Sequence, residues 1–501
     1  MRTMRAKQSL TILLNRSIEH PYVTTFVLCL LGALIKILLV SYPLSSDGAL
    51  YLTVARVFSQ EGFDAALALY YYPFLSILIS LVSDVTGMSL LHAGQLVCVG
   101  LATLTSLSFV YIVRQHDRGW ATTLAAILLI VLLPQLNELK EQVYRDFGLW
   151  AFTLAALASL IHFERGATRW FFLLWFVLQC LAGLFKQEGF VPLLAPFVLA
   201  FTGGSRTRVF RSPLVLMSGL IIGAVVGLLY YLNRHDLHWA LQYTDRLGSI
   251  PEHITSQAAI LGETVLNQYS DRHATGLYLW MLAVLLLLSL IKAFKTAVII
   301  PVLYLLSMAW RNSSIAPALK AYIVLVALPV IMFCIEYQFV AARYMMLLVL
   351  LILAAVLPGL IQQWSRFPKT ARVIAILLGL SLTVESFSVS VFNDGHLKSA
   401  ERWLEENTAP EARVFSNARA ITFVLDRLDE PRDAMRNRPK SAEDRYDYYL
   451  HLSSRKHPSA PPFETGPALA TFTAEKGKQA DIFYLGTPAD REPVQPEAQG
   501  H

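Results

Sequence analysis

Long apolar runs recur along the chain, and their length is the feature that most constrains how the chain can fold. A helix needs about 20 predominantly apolar residues to cross the hydrocarbon core of a bilayer. Runs near that length occupy residues 24–42, 88–113, 119–135, 147–163, 168–185, 189–202, 213–232, 274–291, 320–337, 344–361 and 371–390. The sequence therefore predicts an all-α polytopic membrane protein with about 11 to 13 transmembrane helices.

The composition agrees with this prediction and excludes other classes of protein. Hydrophobic residues make up 55% of the chain and charged residues only 16%, whereas soluble domains average about 25% charged residues. An ordinary cytosolic enzyme, a disordered chain and a coiled coil are excluded. The net charge of +6 comes from short basic clusters between apolar runs, which is typical of membrane topology and not of nucleic-acid binding.

Basic loops between the apolar runs predict the orientation in the membrane. The positive-inside rule places Lys- and Arg-rich loops in the cytoplasm. Such loops lie at the N-terminus and at residues 114–118, 165–169, 206–211 and 366–372. The N-terminus is therefore predicted to be cytoplasmic and the C-terminal tail periplasmic. Residues 295–310 break the alternation, because basic residues flank both ends, and we expect a re-entrant or interfacial segment there.

This topology leaves five stretches outside the cytoplasm. They are residues 43–87, 135–146, 186–189, 233–273 and the tail from residue 393. The fourth stretch is long and polar and contains His235 and His238. No third ligand is placed to indicate zinc, so no metal site is predicted there.

The composition changes after the last apolar run and predicts three regions. Residues 1–392 form the polytopic domain. Residues 393–430 are predicted to be a small periplasmic α/β fragment, with a helix from Leu397 to Asn407 and a β-like piece from Arg413 to Ser416. Residues 431–501 are rich in Pro, charged and small residues, which predicts a polar, partly disordered tail.

The first external stretch combines a carboxylate with an amphipathic pattern. Asp47 precedes apolar positions at helical spacing, which predicts a helix lying in the membrane interface. Asp47 is either the N-cap of that helix or a carboxylate held where a lipid headgroup and a polar acceptor meet. Tyr71 and Tyr72 follow, and they form either an aromatic belt or part of a sugar pocket.

Charged residues interrupt the apolar sequence at two further external positions. Arg145 and Asp146 stand directly ahead of a spanning run, where Asp146 is either a helix cap or a functional carboxylate. Lys186 and Glu188 break an apolar region together with Gly189. A simple turn explains the glycine but does not require both charges. A lysine there could hold a phosphate as a point charge, with Glu188 orienting it.

An Arg-Tyr pair opens the next-to-last apolar run. Arg343 and Tyr344 stand at its start. The arginine either snorkels to the membrane edge or faces a phosphate of the substrate.

The order of these residues along the chain resembles that of the C-type (GT-C) glycosyltransferase superfamily. The similarity is to the bacterial branch related to protein O-mannosyltransferases and to the aminoarabinose transferase of lipid A, and it covers roughly residues 24–430. It implies a GT-C-like fold with interfacial helices in the first external loop. Two positions depart from the family pattern: Gly48 follows Asp47 where many members have Asp-Glu, and Tyr72-Pro73-Phe74 replaces His-Pro-Pro.

The resemblance also implies roles for individual residues. Asp47 and Asp146 are expected to be catalytic. Lys186, Arg145 and Arg343 are expected to bind the phosphate of the donor. The supporting residues are Glu188, Tyr344, Tyr71 and Tyr72.

The implied activity is transfer of a sugar to a hydroxyl group at the cell envelope. The donor is linked to polyprenyl phosphate, the acceptor is a lipid, a glycan or a protein, and the reaction takes place on the periplasmic side of the bacterial inner membrane. No cofactor is expected, because a lipid phosphate leaves readily as an anion, although a divalent metal stays open. The alternative is a transporter or flippase of a lipid-linked sugar. It would place ionisable groups in mid-helix and build the chain from paired halves.

Overall fold

The chain forms two compact units. The structure is a computed structural model, and it describes residues 19–39, 44–140, 142–166, 168–202, 219, 223, 242–267, 269–306, 315–387, 395–417, 423, 446–454, 461, 466–474 and 478–485. The first unit comprises residues 1–32, 100–139 and 145–387, and the second comprises residues 33–99, 140–144 and 388–501. Each unit is built from segments distant in sequence.

Helices dominate the described residues. In chain order the α-helices are α1 (Pro21–Leu39), α2 (Ser46–Glu61), α3 (Phe63–Leu69), α4 (Phe74–Thr86), α5 (Leu90–His116), α6 (Trp120–Val131), α7 (Pro134–Leu139), α8 (Asp146–Glu164), α9 (Trp170–Phe185), α10 (Ala195–Thr202), α11 (Gln242–Thr264), α12 (Ala274–Phe294), α13 (Ile299–Leu306), α14 (Pro317–Tyr337), α15 (Ala342–Gln362), α16 (Lys369–Phe387) and α17 (Gly395–Asn407). Short 3₁₀ helices occupy Gln187–Leu194, Asp271–His273, Lys295–Val298 and Trp364–Arg366.

Five helical stretches in the described part of the chain are long and apolar enough to cross a membrane. They are Leu90–His116, Asp146–Glu164, Asp271–Leu305, Pro317–Tyr337 and Ala342–Gln362. Shorter apolar helices accompany them, including Trp170–Phe185. The prediction of a helical, multi-pass membrane protein is confirmed. The total of about 11 to 13 spans stays a prediction, and the predicted run 213–232 lies outside the described residues except at two positions.

Two segments differ from the sequence prediction in ways that local chemistry explains. The run predicted at 189–202 begins as the 3₁₀ helix Gln187–Leu194 and becomes α-helical only at Ala195. Pro192 lies inside this segment and has no backbone N–H to donate to a helix. The polar stretch 233–273 contains the helix α11, which buries Ala258.

The segment that breaks the predicted topology starts at an unusual backbone position. Lys295 has a φ of 51°, a left-handed conformation that ends α12. Its ammonium forms an ion pair with Glu138. The 3₁₀ helix and α13 follow directly. Whether this segment is re-entrant or interfacial stays a prediction.

A small sheet lies in the second unit. Its strands are β1 (Val414–Ser416), β2 (Tyr448–Ser454), β3 (Ala470–Ala474) and β4 (Lys478–Tyr484), in the order β1-β2-β4-β3. Among the described strands, the β1–β2 pairing is parallel and the other two pairings are antiparallel. A core of four aromatic residues stabilises the sheet: Phe415, Tyr446, Tyr449 and Phe483.

The sheet corrects one expectation and confirms another. The helix and the β-like piece predicted after residue 393 are present as α17 and β1. The segment 431–501, expected to be a partly disordered tail, contributes the other three strands. The expectation rested on average composition, which conceals strands of only 5 or 7 residues between stretches rich in Pro and charge.

Close packing between α8 and the end of α9 depends on a glycine. A Cβ atom added at Gly148 would lie 2.2 Å from the ring of Phe185. Phe185 is itself buried, so its ring has little room to move away.

Gly148→Ala is therefore expected to lower the Tm of the purified protein in detergent, because overpacking typically costs about 1–3 kcal/mol. Gly100→Ala is the matched control, since a Cβ there meets nothing within 4 Å and alanine favours helix. Thermal unfolding measures both variants. Equal decreases in Tm for the two variants would contradict this packing.

Candidate functional site

Lys186 lies in a break between two helical segments of the first unit. Helix α9 ends at Phe185, and Lys186 adopts an extended backbone with φ −157° and ψ 129° before the 3₁₀ helix begins. Its backbone N–H donates to the Ala182 carbonyl, and its own carbonyl accepts from the Gly189 N–H at 2.8 Å. The side chain is buried, so its charge requires partners.

Two carboxylates supply those partners. The Nζ atom of Lys186 lies 3.4 Å from Oδ1 of Asp146 and 3.4 Å from Oε1 of Glu188. The side chains of Lys186 and Asp146 are 9% and 5% exposed, and that of Glu188 is 20% exposed. The lysine therefore bridges the first turn of α8 and the 3₁₀ helix.

An aromatic ring and two arginines complete the cluster. The Nζ atom of Lys186 lies 4.0 Å from the ring centroid of Tyr344, a cation–π contact. Arg343 Nη2 donates to Tyr344 Oη at 3.2 Å. The positive charges of Lys186, Arg343 and Arg145 all act on the Asp146 carboxylate. We call Arg145, Asp146, Lys186, Glu188, Arg343 and Tyr344 the charged cluster.

The lysine remains an ammonium in this environment. Burial alone lowers the pKa of Lys186, but the nearby carboxylates of Glu188 and Asp146 raise it, and the result is a pKa above its ordinary value. Lys186 is thus a permanent positive charge at neutral pH and not a general base. It is suited to holding an anion.

The turn after Lys186 brings the backbone of Gly189 close to the backbone of Ala182. A Cβ atom at Gly189 would lie 2.5 Å from the carbonyl carbon of Ala182. Backbone atoms cannot move aside as a flexible side chain can, so glycine is required. This approach brings Lys186 and Glu188 back beside the end of α9.

A chain of buried hydrogen bonds holds the same turn. Trp175 Nε1 donates to Tyr322 Oη at 2.7 Å, and the Tyr322 hydroxyl donates to Gln179 Oε1 at 2.9 Å. Gln179 Nε2 in turn donates to the carbonyl of Gly189 at 2.5 Å. All three side chains are fully buried. They connect α9 and α14 to the backbone of the lysine turn.

The sequence alone does not predict this chain of hydrogen bonds, although it contains one signal of it. Gln179 is the only side-chain amide in the apolar helix α9, and Trp175 lies one turn earlier. Tyr322, which joins them, comes from a helix more than 140 residues away, so no local pattern identifies it.

Six of the predicted site residues are brought together in the charged cluster. Asp47, Tyr71 and Tyr72 belong to the second unit, and their meeting with the cluster stays a prediction. The side chain of Tyr71 is 53% exposed. His235 and His238 lie outside the described residues.

The structure rejects one of the two interpretations of Asp47. The N-cap of α2 is Ser45, whose Oγ accepts from the Gly48 N–H at 3.1 Å. Asp47 lies in the first turn of the helix, where a negative charge is favourable. A Cβ at Gly48 would lie 3.0 Å from Leu44 Cδ1 and 3.4 Å from the Val143 carbonyl oxygen.

Comparisons with known proteins give a match only among solved structures. No model of a known protein family and no curated protein matches the chain. Eleven solved chains match. One of them is the apo crystal structure of ArnT from Cupriavidus metallidurans, with a TM-score of 0.43 and 13% sequence identity over 96% of this chain and 98% of that chain.

Tyr322→Phe tests the hydrogen-bond chain behind the lysine turn. The variant removes the hydroxyl and leaves Trp175 Nε1 and Gln179 Oε1 buried without that partner, which typically costs about 1–3 kcal/mol. The Tm is expected to fall. Tyr269→Phe is the control, because Tyr269 is 77% exposed, and it is expected to keep the wild-type Tm. An unchanged Tm in Tyr322→Phe would show that these bonds do not stabilise the turn.

Proposed function

We propose that this membrane protein is a glycosyltransferase that moves a sugar from a polyprenyl-phosphate-linked donor to a hydroxyl acceptor. The observation that carries the proposal is the buried Lys186, held by Asp146 and Glu188 and placed beside arginines. Placing an ionisable side chain within a membrane domain costs free energy, and such side chains therefore tend to have a function. The resemblance of the order of these residues along the chain to that of the GT-C superfamily supports the same proposal.

The charge balance of the cluster suits an anionic ligand. Three cationic side chains, Lys186, Arg145 and Arg343, act on the Asp146 carboxylate, and Glu188 also lies beside the lysine. The cations of the cluster are thus held in fixed positions where a phosphate could be bound. Fixed cations at the position where negative charge develops stabilise a departing phosphate without any further reorganisation.

The two carboxylates have different environments and are assigned different roles. Asp146 is the more buried and orients the lysine. Glu188 also contacts the lysine through Oε1, while its Oε2 is buried and has no hydrogen-bond partner among the described residues. That oxygen is available to accept a hydrogen bond from a hydroxyl of the substrate.

The proposed reaction is a single displacement. The acceptor oxygen attacks the anomeric carbon and forms the new glycosidic bond. The bond from that carbon to the phosphate oxygen breaks, and the lipid phosphate leaves with the electron pair. Asp47 takes the proton of the acceptor hydroxyl as a general base, and Tyr71 and Tyr72 line the sugar. The anomeric configuration is inverted, and these steps require no metal.

The proposed location is the periplasmic side of the bacterial inner membrane. The basic loops support it through the positive-inside rule. Asp146 and Lys186, which stand at the start of α8 and just after α9, lie at the helix ends opposite the basic residues Arg165 and Arg169. The acceptor is a lipid, a glycan or a protein.

Lys186→Met is expected to abolish the activity, because removing one such charge-stabilising group typically costs about 100- to 1000-fold in rate. The measurement is mass spectrometry of envelope glycolipids, glycans and glycoproteins from a deletion strain expressing each variant. Wild type and Lys320→Met, which alters an exposed lysine of α14, should restore the product missing in the deletion strain. Full restoration by Lys186→Met, at equal protein level, would reject the phosphate role.

Measurements on Asp47→Asn distinguish a glycosyltransferase from the alternative function, a transporter of the lipid-linked sugar. The amide cannot accept the proton, so sugar transfer should stop while expression and donor binding stay near wild type. A transporter would instead move the lipid-linked sugar across a vesicle membrane without forming a new glycosidic bond. Wild-type turnover in Asp47→Asn would remove this residue from the mechanism, and translocation without transfer would favour the alternative.

A further inference from the structure

An apolar groove lies at the other end of the first unit from the charged cluster. It has a volume of about 430 Å³ and is formed by α5, α8, α9 and the start of α1. Small side chains line its floor, including Ala155, Ala158 and Ser159 of α8. Leu174 and Leu178 of α9 form one wall. Small residues on adjacent helices leave space here that larger side chains would fill.

A second groove runs alongside the first. Its volume is about 390 Å³, and its lining is wholly apolar. The two grooves share Phe171 and Leu174, so these side chains form a ridge between them. Two adjoining apolar grooves that share these side chains offer space for the two acyl chains of a phospholipid.

Polar groups gather at one end of the larger groove. The rings of Tyr22 and Tyr111, both in its lining, lie 6.2 Å apart. The hydroxyl of Tyr111 lies 3.2 Å from Nδ1 of His162, and the Arg114 guanidinium lies 5.7 Å from the centre of the Tyr22 ring. An apolar body with hydroxyl and cationic groups at one end has the polarity of a lipid site at a membrane interface.

The arginines at this end form no ion pair among the described residues. The charges of Arg165 and Arg118 act on Tyr111, and that of Arg165 also acts on the Glu164 carboxylate. Arg165 donates to the side chain and the backbone of Gln115, and Arg114 donates to Thr123 Oγ1. The other nearby carboxylate, Asp117, accepts from the Gly119 N–H and the Thr122 hydroxyl. Three guanidinium groups outnumber these two carboxylates, and this excess of positive charge favours an anionic headgroup.

We propose that this pair of grooves, with Arg114, Arg118 and Arg165, is a binding site for an anionic phospholipid. Basic pockets between membrane helices are suited to acidic headgroups. The phosphate lies among the guanidinium groups, and the acyl chains lie on either side of the Phe171–Leu174 ridge. The uncharged lining makes this a site for an intact lipid and not for free phosphate.

This site is separate from the proposed donor site. His162 follows Asp146 by sixteen residues in the same helix α8, a rise of about 24 Å. The two sites therefore face opposite leaflets of a membrane that α8 crosses. A lipid bound here does not compete with the donor, and its binding can be tested without knowing the transferred sugar.

The test measures lipid binding to the full-length protein in detergent by native mass spectrometry and by Tm. The probes are dioleoyl phosphatidylglycerol, dioleoyl phosphatidylcholine and inorganic phosphate. Phosphatidylglycerol is expected to bind wild type at least tenfold more tightly than phosphatidylcholine and to raise the Tm, because a ligand that binds only the folded state stabilises it.

Variants of the protein distinguish the contribution of the lipid headgroup to binding from that of the acyl chains. Arg114→Gln combined with Arg165→Gln should lower the affinity for phosphatidylglycerol at least tenfold and leave the affinity for phosphatidylcholine unchanged. Ala158→Leu, which fills the groove, should lower the affinity for both lipids. Arg366→Gln alters an exposed arginine of another loop and should behave as wild type. If the double variant does not unfold cooperatively, the single variant Arg165→Gln, at an exposed position, replaces it.

Three outcomes would overturn the proposal. The first is equal affinity of wild type for the two lipids. The second is a loss of phosphatidylglycerol binding in Arg366→Gln as large as in the arginine variants at the groove. The third is displacement of phosphatidylglycerol by inorganic phosphate at comparable concentration, which would indicate an anion site without a role for the grooves.

Discussion

A buried ammonium group is the constraint on which the first unit depends. Lys186 interrupts an apolar region, and burying its charge without partners would be prohibitively costly. The fold supplies Asp146 from the start of α8, Glu188 from the 3₁₀ helix and the Tyr344 ring from α15. Three segments distant in sequence are thereby fixed around one positive charge. The backbone contact at Gly189 and the hydrogen bonds of Gln179 hold that charge in place.

Helices α8 and α9 have different polar environments at their two ends. At one end, cations and carboxylates are interleaved, and Lys186 and Asp146 are buried. At the other end, arginines stand near tyrosines and a histidine with no carboxylate paired to them in the described structure. The first arrangement suits a group whose charge changes during a reaction. The second suits a permanent anion at the membrane surface.

Much of this architecture could be predicted from the sequence, and the rest could not for physical reasons. Apolar runs located α8, α9, α14 and α15 to within a few residues, because length and hydropathy are local properties. Charges within apolar regions identified Lys186, Glu188 and Asp146 as candidates. Glu188 was expected to orient Lys186, but the pairing of Asp146 with Lys186 was not predicted, since these two residues are 40 apart in sequence. The Tyr322 hydroxyl and the three strands after residue 430 were missed, because both depend on contacts between distant segments.

The proposed function requires the charged cluster to bind the phosphate of a lipid-linked donor. The decisive measurement is an experimental structure of the protein with a bound polyprenyl phosphate. We expect a phosphate oxygen within hydrogen-bonding distance of Lys186 Nζ, with Arg343 or Arg145 beside it. A phosphate bound elsewhere, with Lys186 still enclosed only by Asp146 and Glu188, would instead make the cluster a purely structural ion network.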